Sequence, residues 1–466
     1  MSRYDNDDDR CEHQRSQLNN LRCAPIRLAL LRNLENRRQQ ATHERDARRS
    51  TANAMTATDE GGIDLPHDGM ERPPLDLVLE KRSDRDPVLI VRDQVLVESS
   101  QAEVAQRLLR DQYQPSGRII GGSVTRLVRV STSPLSVPEA VFKLRENDVQ
   151  ASANHVAMLG GTDKSGATPE PTEHPLEYGR TSSHGTRVVV IDTGLDRGAR
   201  ERDDGWLDGV NAVAAQDIDL LDVVNAQGVV HADGLLDLGA GHGTFVAGIV
   251  RQVAPDADIR VLRALDTDGV GSEETIAEAI GRAVPLFEET DGRGVLNLSL
   301  GMETLDGQEP VALRLALDQL PPDVLVVAAA GNAASGIRLW PAASKRVIAV
   351  GSHCGDNDLT PSSWSNHGSW IDFSARGERI VSTFVAGEET PGTGAEDDPY
   401  DPDPDMFELP NPYALWTGTS FSTPQVTGRL ANLLAERPDL TRAGAQRHLQ
   451  DEGRFSADYG YRLSIL

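Results

Sequence analysis

The sequence predicts an α/β domain on a doubly wound, mostly parallel sheet flanked by helices, preceded by a small α+β domain. Three observations predict this. From Arg187 onward, short runs such as Val188-Val189-Val190-Ile191 recur without polar alternation, as strands buried on both faces do. Apolar residues at helical spacing fill the intervals between them. Between residues 88 and 159, two helical patterns interleave with strand patterns, the split β-α-β-β-α-β plan of a ferredoxin-like unit.

In chain order, residues 1–85 come first, rich in Arg, Asp, Glu, Asn and Gln. Leu28, Leu31 and Leu34 mark one short helix. The rest cannot bury enough apolar surface to offset its ordering entropy, so a disordered or partly helical extension is expected. The small domain spans 86–159, with strands at 88–98, 124–130 and 151–159 and helices at 102–111 and 138–146. A fourth, weakly marked strand is expected near 119–120. Residues 160–183 carry Gly, Pro, Thr, Ser and Glu without periodicity, a linker with a cleavable processing zone. The large domain, 184–466, has strands at 187–192, 258–265, 294–300, 324–330, 346–351 and 379–385. Helices at 243–252, 273–289 and 310–320 lie between them. In such sheets ligands bind beyond the carboxyl ends of the strands.

Composition narrows the function. With 466 residues and 38% apolar content there is ample material for a large core. The net charge of −26 argues against a nucleic-acid backbone as partner. The three cysteines, Cys11, Cys23 and Cys354, show neither metal-ligand spacing nor a paired framework. No signal peptide or membrane-length apolar run stands out, so a soluble cytoplasmic protein without membrane partners is the default, with export by another route left open.

Four residues carry chemistry. Asp192 closes the strand Val188–Ile191 and so faces the crevice; alone it reads equally as a turn-former before Gly194. His242 stands between Gly241 and Gly243 at a helix start, where the glycines clear space around the imidazole. Asn332 follows a strand in Ala330-Gly331-Asn332, its amide free to donate to a developing oxyanion or to serve an ordinary left-handed turn. Ser420 lies in Gly418-Thr419-Ser420-Phe421-Ser422-Thr423-Pro424, which opens a helix with Pro424 expected in its first turn. Unsatisfied N–H groups there favour negative charge, which suits a nucleophile whose attack creates an oxyanion, although a plain N-cap uses the same residue type.

The order Asp192, His242, Asn332, Ser420 on one parallel sheet, in the blocks Asp-Thr-Gly, Gly-His-Gly-Thr-x-Val-Ala-Gly and Gly-Thr-Ser-x-Ser-x-Pro, resembles the subtilisin-like serine proteases, or subtilases, over about 183–455. The resemblance implies a subtilisin-like fold and a serine endopeptidase. Ser420 is then the nucleophile, His242 its general base, and Asp192 the group that holds the imidazole. Asn332, with the Ser420 backbone N–H, forms the oxyanion hole. Ser299, Leu300 and Gly301 resemble one wall of the substrate cleft; Ala329, Ala330 and Gly331 the opposite wall of the specificity pocket; Gly269, Val270 and Gly271 the segment on the far side of an extended substrate. The polypeptide substrate adds as a strand between them. Small residues line the pocket, so a small or medium apolar side chain is expected at the cleaved position. The 86–159 domain resembles the family's propeptide, an intramolecular inhibitor released by self-processing. An aromatic–proline pair near the pocket, Trp340-Pro341 here, implies a cis peptide bond.

The departures from the family pattern are informative. Phe245 replaces a His common in its block. The helix after His242 runs to Pro255 without the insertion that carries a calcium site in many subtilases. An acidic stretch between Gly387 and Asn411 holds nine Asp or Glu and no Lys or Arg, a solvated loop, a lid for basic substrates or a weak calcium site. Catalysis requires no cofactor; structural calcium stays open and the metal ligands unknown. Two alternatives remain: a catalytically idle peptide-binding module with the same fold, and a serine–carboxylate protease of the sedolisin type, against which His242 and Asn332 argue.

Overall fold

The computed structural model describes residues 75–82, 86–110, 112–159, 169–172, 185–196, 198, 206–223, 232–355, 360–389 and 405–466. The expectations for residues 1–74, for most of the 160–183 linker and for the acidic stretch at 390–404 lie outside these residues.

The small domain runs β1 (Leu77–Glu80), β2 (Val88–Glu98), α1 (Ala102–Leu109), β3 (Tyr113–Ile119), β4 (Val124–Arg129), α2 (Val137–Arg145) and β5 (Ala151–Leu159). Its antiparallel strands lie in the order β5-β2-β4-β3, with β1 on β2. Ala105 and Leu109 of α1 and Ala140, Val141 and Leu144 of α2 close on Val95, Val97, Leu127 and Ala153. A capping box starts α2: Ser136 accepts from the Glu139 N–H while Glu139 accepts from the Ser136 N–H.

Two details here depart from the sequence expectation. Residues 77–80, assigned to the extension, form β1. Leu75, Leu77 and Leu79 recur every second residue and pack with Leu89, Val91 and Val156, an alternation hidden behind Pro73 and Pro74. The weak middle strand is Tyr113–Ile119 rather than 119–120. Only its two ends are buried, and its register shifts between Pro115 and Gly117, so no apolar alternation marks it. It is an edge strand, where a proline is tolerated.

The large domain runs β6 (Glu170–Thr172), β7 (Arg187–Asp192), β8 (Val210–Ala212), α3 (His242–Val253), β9 (Asp258–Arg263), β10 (Val270–Ser272), α4 (Glu273–Glu288), β11 (Gly294–Leu298), β12 (Leu300–Gly301), α5 (Val311–Gln319), β13 (Val324–Ala329), β14 (Ile348–His353), β15 (Phe373–Arg376), β16 (Ile380–Thr383), β17 (Tyr413–Trp416), α6 (Thr419–Glu436), α7 (Arg442–Glu452), β18 (Arg454–Ser456) and β19 (Gly460–Arg462). Nine strands form one sheet in the order β18-β19-β15-β14-β13-β11-β7-β9-β8, parallel except for the β18–β19 hairpin.

The unbroken apolar runs have a direct cause. Val188 and Val190 of β7 join the layer of α3 and α6, with Val246, Val250, Val426 and Leu430. Val189 and Ile191 join the opposite layer of α4 and α5, with Ile276, Ile280, Leu313 and Leu317. Both faces are dry, and burying each such side chain contributes about 1.5–3 kcal/mol.

Three expectations change. Residues 379–385 do not enter the main sheet; β16 pairs antiparallel with β17 in a separate three-stranded sheet. The third strand there is β6, taken from the stretch assigned to the linker. The main sheet instead gains β8, β15, β18 and β19, each of three or four residues and too short to show a pattern. The Trp340–Pro341 peptide is cis, as expected.

β5 continues beyond the small domain. Val156–Met158 pair antiparallel with β10 on one side, and Met158 and Leu159 pair with β12 on the other.

Candidate active site

Asp192 ends β7 and His242 begins α3, both almost fully enclosed. Asp192 Oδ1 accepts from the Thr193 N–H at 2.8 Å and lies 2.8 Å from His242 Nδ1. A carboxylate accepts only, so Nδ1 carries the hydrogen and Nε2 is left as a base. The close approach needs Gly243: a Cβ there would lie 2.2 Å from the Gly194 carbonyl oxygen and 3.2 Å from Asp192 Cβ. Trp416 meets the imidazole edge-on at 5.3 Å, and Phe421 lies 5.4 Å away. Phe245, the departure noted above, packs against Trp416, Phe421 and Phe384 one turn along the helix, so an aromatic wall stands where the family pattern commonly has a His.

Ser420 is the second residue of α6. Its hydroxyl donates to the Ser299 carbonyl at 3.2 Å rather than to His242. The Ser420 carbonyl in turn accepts from Ser299 Oγ at 2.8 Å. This exchange explains Pro424. The helix starts at Thr419, so Pro424 sits in the second turn, not the first. Its missing N–H frees the Ser420 carbonyl four residues earlier, and Ser299 takes that place. Behind Ser299 the chain of bonds continues: Asn297 Nδ2 donates to Ser299 Oγ at 3.0 Å, and Thr427 Oγ1 donates to Asn297 Oδ1 at 2.8 Å.

Asn332 Oδ1 accepts from both the N–H and the hydroxyl of Thr419, at 2.9 and 2.8 Å. Its carbonyl is thereby committed, and its Nδ2 is the side left to donate toward a ligand. Gly331, at φ +100°, donates its N–H to Thr419 Oγ1 at 3.1 Å. Ala329 ends β13, and the Ala330 carbonyl accepts from Asn366 Nδ2 at 2.8 Å, which fixes this turn beside the Ser420 helix. Ser299, Leu300 and Gly301 form one wall and Gly269, Val270 and Gly271 the other, with β5 lying between them.

Sequence reasoning missed two supporting groups. Asp219 lies behind the Asp192–His242 pair. Its Oδ2 accepts from Thr193 Oγ1 at 2.9 Å and from the Gly241 N–H at 3.0 Å, while Oδ1 accepts from the Leu221 N–H. Thr193 Oγ1 also accepts from the Gly243 N–H at 3.1 Å. Asp219 therefore ties the end of β7 to the helix start on both sides of His242. Burial pushes its carboxyl up to about 6, with the Asp192 charge adding to the rise and the three hydrogen bonds opposing it.

The second group is Glu273, at the start of α4. It accepts from Ser152 Oγ of β5 and from the Ala312 N–H, both at 2.8 Å, and lies 3.3 Å from His155 Nδ1. The Leu305 N–H donates to His155 Nε2 at 3.2 Å, which places the imidazole hydrogen on Nδ1, facing Glu273. A fully buried carboxylate thus joins the small domain to the large one. Among the described residues, no three His, Cys, Asp or Glu side chains are grouped to hold a metal ion, and no helix is long and apolar enough to cross a membrane.

The arrangement resembles known proteins. The profile described as "Subtilase family" matches residues 183–460. A thermophilic serine proteinase of Bacillus sp. (strain AK1) is 34% identical over 255 residues, covering 55% of this chain and 53% of that protein. Thermitase of Thermoactinomyces vulgaris is 29% identical over 279 residues, covering 58% of this chain and 81% of that one. Fervidolysin from Fervidobacterium pennivorans, a keratinolytic enzyme related to subtilisin, superposes with a TM-score of 0.55 at 17% identity, covering 83% of this chain and 61% of that chain. The chain spans about half the length of several of the curated relatives it matches.

Proposed function

Because the chain belongs to the subtilase family, we propose that it is a serine endopeptidase made as a self-processing precursor, with residues 86–159 as its intramolecular inhibitor. In this reading, Ser420 Oγ attacks the substrate carbonyl after turning from Ser299 toward His242. His242 Nε2 takes the hydroxyl proton and then delivers it to the leaving amine. Asp192 holds the imidazole and stabilises its charged form. Asn332 Nδ2 and the Ser420 N–H donate to the oxyanion. Water then hydrolyses the acyl-enzyme with His242 again as base. The substrate is a polypeptide bound as an added strand, and no cofactor takes part.

The observation that carries the proposal is β5. It lies as an extended strand between both walls of the crevice and ends where Leu159 meets Leu300, one residue from Ser299. A chain held there is positioned as a substrate is, and a strand so paired blocks entry of another.

One observation favours the idle peptide-binding module: the Ser420 hydroxyl bonds to Ser299 and not to His242. A fluorophosphonate probe tests the choice. The protease reading expects covalent labelling of the processed protein at Ser420, absent in Ser420→Ala. Processed protein that takes no label at Ser420 contradicts the endopeptidase.

A further inference from the structure

Two wall residues fix the register of β5 in the crevice: Met158 lies opposite Gly301 and Leu159 opposite Leu300. The next wall residue is Ser299, whose carbonyl accepts from the Ser420 hydroxyl. A peptide in this antiparallel register therefore brings to Ser420 the carbonyl of the residue after the one facing Leu300. Side chains alternate along the strand. Val156 and Met158 turn to a cluster of Leu77, Leu89, Val91 and Val270. Ala157 and Leu159 turn the other way, to the large-domain cluster that holds Leu265, Leu298 and Leu300. Leu159 is thus the side chain that the large domain meets nearest the reactive bond.

Its space depends on a missing side chain. A Cβ on Gly269 would lie 2.5 Å from Leu159 Cδ1 and 2.6 Å from its Cγ. Gly269 has φ +75°, which disfavours other residues independently. Gly239 stands behind it. A Cβ there would lie 2.4 Å from the Gly269 nitrogen, and the Gly239 N–H donates to the Thr267 carbonyl at 2.7 Å. The two glycines let the 266–269 turn pack against the segment that leads into His242.

We propose that the cleft selects a leucine-sized aliphatic side chain on the residue immediately before the one whose carbonyl Ser420 attacks, and that bare Gly269 provides its seat. The proposal rests on the protease reading above and deepens it. In the chain's own sequence the motif reads Ala157-Met158-Leu159-Gly160, so the bond cut during self-processing is Gly160–Gly161. A leucine fills the apolar seat, whereas alanine leaves it open. One missing methylene in such a pocket is worth roughly 10–200-fold in kcat/KM.

Quenched peptides of the chain's own sequence from Asn154 to Asp163 test this, given to the full chain after self-processing. Cleavage is expected between the two glycines. Replacing the leucine by alanine should lower kcat/KM by about tenfold or more. Replacing the methionine by alanine should change it less than about twofold, because Met158 faces away from the large-domain cluster. Gly269→Ala should shrink the preference for leucine over alanine. Equal losses at the two positions, or cleavage at another bond, overturn the proposal; an unchanged preference in Gly269→Ala overturns the role of that glycine. Labelling at Ser420 with indiscriminate cutting removes this inference alone. If Ser420 takes no label and no peptide is cut, the protease reading falls and the inference falls with it.

Discussion

Asp219→Asn should change how stability depends on pH, by an amount the buried site sets. Asp219 is fully enclosed, and its carboxyl is pushed up to about 6 from an ordinary value of 3.8. The folded state therefore holds a proton that the unfolded state releases. Below the unfolded value the group costs nothing relative to the unfolded chain. As pH rises from about 3.8 to about 6 the unfolded chain ionises while the folded one keeps its proton, so the cost grows and levels off at about 3 kcal/mol above that range. Asparagine has nearly the same shape and does not titrate, so the variant escapes that rising cost. Its amide also meets the Gly241 N–H and the Thr193 hydroxyl less well than the carboxylate does, a penalty that shifts the whole curve without tilting it. The assay is urea unfolding of full-length Ser420→Ala and Ser420→Ala/Asp219→Asn chains at intervals between pH 4 and 8; the serine change prevents self-digestion. The stability of the Asp219→Asn chain minus that of its parent should rise by about 2 kcal/mol from pH 4 to pH 7, most of it before pH 6. A difference that stays flat, or falls, over that range refutes the reasoning.

Other outcomes follow from the same contacts. Asn332→Ala should lower kcat by roughly 10²–10³ and leave KM nearly unchanged, since the amide meets charge that develops only in the transition state; steady-state kinetics giving a KM effect alone would remove Asn332 from the oxyanion role. Asn297→Ala strands the buried Thr427 hydroxyl and loosens Ser299 behind Ser420. It should cost about 1–3 kcal/mol of stability and slow fluorophosphonate labelling, and unchanged urea unfolding would contradict this. Glu273→Ala removes the acceptor shared by Ser152, His155 and the Ala312 N–H. Hydrogen exchange of the β5 amides in the Ser420→Ala chain should quicken by about tenfold or more, and unaltered exchange would show that Glu273 does not hold the small domain.

The main sheet was legible because β7, β11 and β13 are buried on both faces and so read as continuous apolar runs. The residues of the site were legible because close packing demands unusual neighbours, Gly243 against Gly194 being one. What stayed hidden lacks a local signature. β3 is exposed over five of its seven residues, so its pairing comes from β4 and not from its own pattern. The break at Pro424 looked like a first-turn proline, because only the fold shows Ser299 replacing the lost bond. Asp219 and Glu273 read as ordinary acidic residues. Their roles arise from partners 22 to 26 positions away for Asp219 and up to 121 positions away for Glu273, distances over which sequence gives no contact.

The intact masses of the full chain and of Ser420→Ala, each purified without added protease, test the central claim most directly. If Ser420 is the nucleophile of a precursor that processes itself, the wild type resolves into two fragments parted between Gly160 and Gly161. Ser420→Ala then persists as a single chain of 466 residues. A Ser420→Ala chain cut at the same bond assigns that step to another protease, and a wild type that stays whole while cleaving substrates contradicts the inhibitor role of residues 86–159.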